Sequence, residues 1–328
     1  MRLIFLGTPE FAVEPLVRLV GLHEVVACVT QPDRVRGRGR GVVKSPVKIA
    51  AERLGIPVLQ FERIRDGGAE ILSAYNSDIM VTAAYGQILT ADILHVAKHG
   101  VVNAHASLLP KYRGPSPIQH MLLNGETEAG VTIMQTELGV DTGPVILSKR
   151  CGIDGADNFE TLTHKLSGLA ADALADALAL IESGKAVRTP QDDAAATRCG
   201  MIKKPDYFTD FCEPAQTIVN KCRAFYPDFY AVIGGKRLRL LQMANDQSQM
   251  TKAGKDSNES NLSSVICHLS SEPGTVLVSK GRFIARAADG AVEICRVLPQ
   301  DSKPMDAAAY LAGHRHVVGE KFEIGPAV

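Results

Sequence analysis

Apolar and polar positions along residues 1–185 fall into short runs separated by helical stretches. "RLIFLG" (2–7), "EVVACVT" (24–30), "IPVLQ" (56–60), "SDIMVTAAYG" (77–86) and "GVVNAH" (100–105) read as buried strands. Between the first two, Thr8-Pro9 predicts a helix opening, with a hydroxyl at the N-cap and Pro in the first turn. "SPVKIAAERLG" predicts a helix ending at Gly55. "GVTIMQTE" (130–137) and "PVILSKR" (144–150) add a strand pair, and 157–184 form one long Ala/Leu helix. Strand and helix in alternation imply a mostly parallel, doubly wound α/β sheet, a Rossmann-like domain over 1–185.

The pattern then changes. Residues 186–208 lack apolar periodicity and hold Pro190 and Pro205, which predicts a linker. From 209 to 328 a helix ("EPAQTIVNKCRAF") precedes the short strands "YAVIG", "KRLRLLQM", "GTVLVS", "GRFIARAA" and "AVEICRVL". Short strands between glycine turns predict a small C-terminal β-barrel, OB-like in kind. The polar stretch 245–264 predicts a mobile surface loop.

At 328 residues the chain is long enough for two domains, at about 150 residues each. Lysine plus arginine and aspartate plus glutamate both number 36, so any polyanion footprint must be local. "MRLIFLGTPEF" is too short an apolar run for a signal peptide, and no run is long enough to span a bilayer. The expectation is a soluble, cytoplasmic protein. Seven cysteines without a C-x-x-C pair argue against a disulfide framework and a structural zinc site. No metal is expected.

Three residues stand out chemically. Asn103 and His105 share a face at the carboxyl end of a strand, where open α/β sheets bind ligands. An amide can donate to a developing oxyanion, and an imidazole can carry charge or a proton near neutral pH. From the spacing alone, a half-buried structural histidine beside a turn-forming Asn is the favoured reading. Asp141, in "LGVDTGPV", is a carboxylate suited to orienting that imidazole, though Asp-Thr-Gly-Pro is also ordinary turn chemistry. The D-T-G occurs once, so the two-carboxylate chemistry of an aspartic protease is excluded. A lone Gly7 where a dinucleotide fingerprint needs three glycines argues against a dehydrogenase.

Charge is concentrated in two places. Over 31–48, Arg34, Arg36, Arg38, Arg40, Lys44 and Lys48 face only Asp33, and Gly alternates with Arg in between. Lys221, Arg223, Lys236, Arg237 and Arg239 form a second cluster beside Asp228. Both clusters fit a solvated surface, and both fit contacts to RNA phosphates.

"FLGTPEFA", "TQPDRVRGRGR…SPVK", "AYGQIL", "NAHASLLPKYRGPSPIQ" and "GVTIMQTELGVDTG" together resemble, in order, the blocks of the methionyl-tRNA formyltransferase family. The resemblance covers the first domain nearly end to end. Beyond residue 205, "IKKPDYFTDF" and "KCRAFYPDF" follow the family more loosely, and "YPDFYAVIGG" stands where members carry a tryptophan. The resemblance implies transfer of a formyl group from 10-formyltetrahydrofolate to the α-amine of methionyl initiator tRNA. It implies Asn103, His105 and Asp141 as the catalytic trio. It also implies a folate site lined by Ser107, Leu108, Leu109 and Pro110, with Tyr85, Gly86, Gln87, Ile88 and Leu89 beside it. The basic clusters would then meet the tRNA, the first of them at the acceptor stem. The protein is expected to act as a monomer, without metal or membrane. A formyltransferase acting on a small amine would need neither the basic loop nor the barrel, and a non-catalytic RNA-binding protein would not need the trio.

Overall fold

A computed structural model describes residues 1–36, 41–246, 271–279, 281–314, 317–323 and 325. The chain divides into two compact units, the first comprising Met1–Met121, Glu126–Gly155 and Glu160–Met201. The second comprises Leu122–Gly125, Ala156–Phe159 and the chain from Ile202 onward. The stretch expected to be a linker over 186–208 therefore belongs, as far as Met201, to the first unit. Most of the polar stretch expected to be a loop, 247–264, lies outside the described residues.

In the first unit the strands are β1 (Arg2–Gly7), β2 (Glu24–Thr30), β3 (Arg34–Arg36), β4 (Gly41–Val43), β5 (Val58–Gln60), β6 (Ile79–Ala83), β7 (Val101–His105), β8 (Glu128–Gln135) and β9 (Val145–Gly152). The helices are α1 (Val13–Val20), α2 (Pro46–Arg53), α3 (Gly68–Ser73), α4 (Ala91–Leu94), α5 (Pro117–Leu123, which runs into the second unit) and α6 (Phe159–Glu182). Seven strands form one sheet in the order β5-β2-β1-β6-β7-β8-β9. The pairs from β5 to β7 are parallel, whereas β7-β8 and β8-β9 are antiparallel. This is the doubly wound sheet expected from the alternation. Strand order reverses between β1 and β6, so the ligand crevice of such a fold lies beyond the carboxyl ends of β1, β6 and β7.

Burial explains the apolar runs. Leu3, Ile4, Phe5 and Leu6 are all fully buried, so β1 is covered on both faces and needs no polar alternation. On α6 the buried positions Leu162, Leu166, Ala170, Leu174, Ala177 and Ile181 recur every three or four residues and define its packed stripe. The cap expected at Thr8 is not made. Its hydroxyl instead donates to the Tyr85 carbonyl oxygen at 2.9 Å, and Pro9 precedes a short 3-10 turn, Glu10–Ala12, that leads into α1.

The second unit holds α7 (Ala215–Ala224), β10 (Tyr230–Ile233), β11 (Lys236–Asn245), β12 (Val276–Ser279), β13 (Arg282–Arg286), β14 (Ala291–Pro299), β15 (Met305–Asp306) and α8 (Ala307–Gly313). Its antiparallel sheet runs β10-β11-β14-β13-β12, with β15 paired to β14, a half-barrel in the place where the small OB-like barrel is expected. Gly234 and Gly235 both adopt positive φ (56° and 71°), as a two-residue hairpin between β10 and β11 requires. Register shifts along β11 at Leu240–Met243 bend that long strand. Phe211, Phe229, Phe283 and Phe322 fill the interior, with Phe211 and Phe322 centroids 4.6 Å apart.

Truncating a side chain in the most buried strand tests this assignment of the core. Leu6→Ala should cost about 3 kcal/mol of unfolding free energy by chemical denaturation. Val17→Ala, at an exposed position of α1, should cost well under about 1 kcal/mol. Equal effects would mean that β1 is not the centre of the first unit.

Candidate active site

Parallel pairing sets Thr82 on β6 opposite Asn103 on β7. The Thr82 hydroxyl donates to Asn103 Oδ1 at 2.8 Å. The same hydroxyl lies 3.4 Å from the Val102 carbonyl oxygen, and its shorter bond to Oδ1 leaves the Asn103 NH2 as the outward end of the amide. Among the described residues no acceptor faces that NH2. A threonine inside the otherwise apolar run "IMVTA" is the signal that sequence reasoning passed over.

His105, two residues on, is buried, and both of its ring nitrogens face acceptors. Nε2 donates to the Tyr112 carbonyl oxygen at 2.8 Å, and Nδ1 lies 3.6 Å from Asp141 Oδ2. The expected pairing of His105 with Asp141 is thus a close contact, longer than a hydrogen bond. The direct hydrogen bond comes from the backbone of Tyr112, which no side-chain pattern announces. Asp141 Oδ2 is itself held by the Gly114 N–H at 2.9 Å. The structure therefore brings Asn103, His105 and Asp141 together at the end of β7.

The loop after β7 is closed by its own polar groups. The Ser107 hydroxyl donates to the Lys111 carbonyl oxygen at 2.6 Å and is fully buried. Thr132 Oγ1, on β8, donates to the Ser107 carbonyl oxygen at 2.7 Å and accepts from the Leu109 N–H at 3.0 Å. Leu108 packs over Gly130, where a Cβ would lie 2.4 Å from Leu108 Cδ2. Leu108, Leu109 and Pro110 remain partly accessible. Of the Tyr85–Leu89 stretch, Tyr85 and Leu89 are core residues, and burial pushes the Tyr85 phenol up to about 12. Gln87 braces the neighbouring loop, accepting from the Ile64 N–H at 2.7 Å and donating to the Phe61 carbonyl oxygen at 2.9 Å. Gly86 and Ile88 are the exposed members, Ile88 at 77 %. Leu138 and Val140 on the loop before Asp141 are also exposed, at 69 % and 59 %.

Residues 110–114 are also pinned from the side. Tyr112 N donates to Thr197 Oγ1 at 2.8 Å, Arg113 N to the Thr197 carbonyl oxygen at 2.9 Å, and Cys199 N to the Arg113 carbonyl oxygen at 2.8 Å. The Cys199 thiol lies 3.3 Å from the same Tyr112 oxygen that holds His105. Burial, and then the Asp141 carboxylate, push that thiol above its usual range.

The basic residues are largely paired. Arg34 lies 3.5 Å from Glu62, Lys44 2.8 Å from Glu52 and Lys48 2.7 Å from Asp33. Hydrogen bonds from Lys48 and Gln60 hold the Asp33 carboxyl below its usual range. Arg36 lies on β3, while Arg38 and Arg40 fall outside the described residues. In the second unit, Lys221 pairs with Glu213, Arg239 lies 3.3 Å from Asp228, and Arg223 donates to the Asp157 carbonyl oxygen at 2.7 Å. Lys236 is exposed at the start of β11, and the Arg237 guanidinium stacks 4.0 Å from the Tyr230 ring centroid. Among the described residues no group of three or more His, Cys, Asp or Glu could hold a metal ion, and no helix is long and apolar enough to cross a membrane.

Residues 1–178 match the family described as formyl transferase, and residues 201–315 match its C-terminal domain. The chain is 36 % identical to the methionyl-tRNA formyltransferase of Geotalea daltonii, over 98 % of each chain. It is 39 % identical to that of Xanthomonas axonopodis pv. citri, over 96 % of this chain and 98 % of the relative. Its fold is similar to that of an N-formyltransferase from Helicobacter canadensis solved with folinic acid and dTDP-3-aminofucose. That likeness has a TM-score of 0.61 at 17 % identity, covering 89 % of this chain and 98 % of the other.

The close approach at Gly114 gives a test of the site's framework. Its φ is 123°, and a Cβ there would lie 2.3 Å from the Cys199 carbonyl oxygen. Gly114→Ala should therefore cost about 2 kcal/mol or more of stability. It should also make Cys199 markedly more reactive towards a thiol reagent at pH 8. An unchanged denaturation midpoint with an inert thiol would mean that the two segments are not pinned together.

Proposed function

The chain belongs to the formyl transferase family, and on that premise we propose that it transfers the formyl group of 10-formyltetrahydrofolate to the α-amino group of methionyl initiator tRNA. The observation that carries this reading is the match to methionyl-tRNA formyltransferases over nearly the whole length of both partners. A relative that shared only the catalytic unit would leave the acceptor open.

In this reading the folate supplies a formyl group on a nitrogen that can leave. Asn103 presents its NH2, with the amide held by Thr82, to the formyl oxygen as that oxygen gains charge. His105 keeps Nε2 on the Tyr112 carbonyl and turns the Nδ1 edge towards Asp141. Asp141 faces the imidazole and can accept the proton that the attacking amine must lose, directly or through a water. The leaving nitrogen takes up a proton in turn, so no covalent enzyme intermediate is needed. Leu108, Leu109 and Pro110, together with the exposed Gly86 and Ile88, are the groups available to hold the folate.

Formylation of charged initiator tRNA, with elongator methionyl-tRNA as the control, tests the assignment. Asn103→Ala should lower turnover about a hundredfold or more. Thr82→Val, which keeps the shape but frees the amide to rotate, should lower it by a smaller factor at little cost in stability. Near-normal turnover in Asn103→Ala would remove the amide from the mechanism.

For the tRNA, the paired cations are not lost to binding. Exposed ion pairs are worth about 0–1 kcal/mol each, so a phosphate can replace a carboxylate partner such as Glu62 or Glu52. Arg38 matches the arginine of the family's G-R-G stretch and is assigned to the acceptor end. Arg38→Ala should reduce the salt dependence of tRNA binding by about one phosphate contact and weaken initiator preference. Arg34→Ala serves as the comparison. Unchanged affinity, salt slope and preference in Arg38→Ala would leave the loop as solvated surface.

A further inference from the structure

We propose that Gln191, on the segment 186–201, is a positioning residue that sets Asp141 against His105. This rests on the reading of Asp141 as a member of the catalytic trio. The side chain of Gln191 spans from one loop of the site to the other. Its Nε2 donates to the Asp141 carbonyl oxygen at 2.9 Å and to the Gly143 carbonyl oxygen at 2.7 Å. Its Oε1 accepts from Arg113 Nε at 3.0 Å, and Arg113 in turn donates to Asp193 Oδ1 at 2.8 Å.

Both amide hydrogens and the amide oxygen of Gln191 are therefore engaged, and the amide has only one workable orientation. A flip would turn the NH2 towards the Arg113 donor and the oxygen towards two carbonyls. Arg113 is itself only 6 % exposed, so its charge is not screened by bulk water at this position.

The turn that Gln191 grips needs holding. Asp141 has φ +53°, in the left-handed region where a non-glycine residue is strained. At Gly143 a Cβ would lie 1.8 Å from the Gln135 carbonyl oxygen, so the chain there has no slack. Thr189 pairs with Val145 through hydrogen bonds of 2.8 and 2.9 Å, fixing the register of the segment just before Gln191. Thr197 and Cys199 fix the register just after it, against residues 110–113. The segment thus braces both loops, and Gln191 is the side chain through which it reaches Asp141.

The test is a double-mutant comparison in the full-length enzyme, with formylation of charged initiator tRNA as the assay. Gln191→Met removes all three hydrogen bonds. Gln191→Glu has the same shape and keeps the acceptor for Arg113, but loses both donors to the Asp141 turn. Each should lower kcat about tenfold to a hundredfold while KM for the folate and for the tRNA changes by less than about threefold. Gln191→Met combined with Asp141→Ala should be no slower than Asp141→Ala alone, because Gln191 acts through that carboxylate. If Gln191→Met proves unstable, the isosteric Glu variant carries both comparisons. Wild-type turnover in Asp141→Ala would sink the reading of Asp141, and this inference with it. An inactive Asp141→Ala beside an unchanged kcat in Gln191→Glu, or losses that multiply in the double variant, would overturn the role of Gln191 alone.

Discussion

The carbonyl oxygen of Tyr112 is the fixed point of the site. A buried imidazole N–H without an acceptor costs about 1–3 kcal/mol, and this oxygen, 2.8 Å from His105 Nε2, removes that penalty. To present it, Tyr112 adopts φ +62°, which the chain tolerates because its neighbours enforce it. Thr197 takes the Tyr112 N–H, and the Tyr112 hydroxyl donates to Glu126 at 2.6 Å. Two residues on, Gly114 passes so close to Cys199 that no side chain fits, and its N–H then meets Asp141. One backbone conformation over 112–114 thus fixes the histidine and the carboxylate together.

How much of this was legible follows from where each piece of information sits. The strands β1, β6 and β7 show as apolar runs because both faces of the parallel sheet are covered, so their burial is written into side-chain type. The pairing of Asn103 with His105 follows from the two-residue period of a strand. Gln191 carries no such mark. It lies far downstream of Asp141 in a stretch without periodicity, and what its NH2 contacts is backbone. The Tyr112 carbonyl is invisible for the same reason, since every residue has one. Thr8 shows the opposite error: its hydroxyl oxygen suits a helix cap, but the side chain is turned away to donate to the Tyr85 carbonyl oxygen and accept from the Gln31 N–H.

Charge was legible as composition and not as pairing. The run 31–48 is strongly basic, yet Arg34 and Lys44 meet Glu62 and Glu52, which lie outside it. Only the fold brings those carboxylates near. In the second cluster, Arg239 meets Asp228 from within the same stretch, and Arg237 lies over Tyr230, where β11 runs antiparallel to β10. A basic cluster read from sequence therefore overstates the field that an approaching polyanion meets. The proposed tRNA contact must displace carboxylates before it gains phosphate pairs, which favours a partner with many phosphates over a single anion.

Closure of the polar groups around the trio bears on how such a site accelerates a reaction. Ser107, Thr132, Gln191 and Arg113 each have their hydrogen bonds directed to other parts of the first unit. The Asn103 NH2 is the exception, because Thr82 occupies the other end of that amide. A donor fixed before any ligand arrives, among groups that have no alternative partners, need not reorganise when charge develops in front of it. In the proposed reaction its interaction would grow as the formyl oxygen becomes more negative, stabilising the transition state more than the ground state. In a site built this way, the hydroxyl of Thr82 holds Asn103 and the amide of Gln191 holds the Asp141 turn, although neither belongs to the trio.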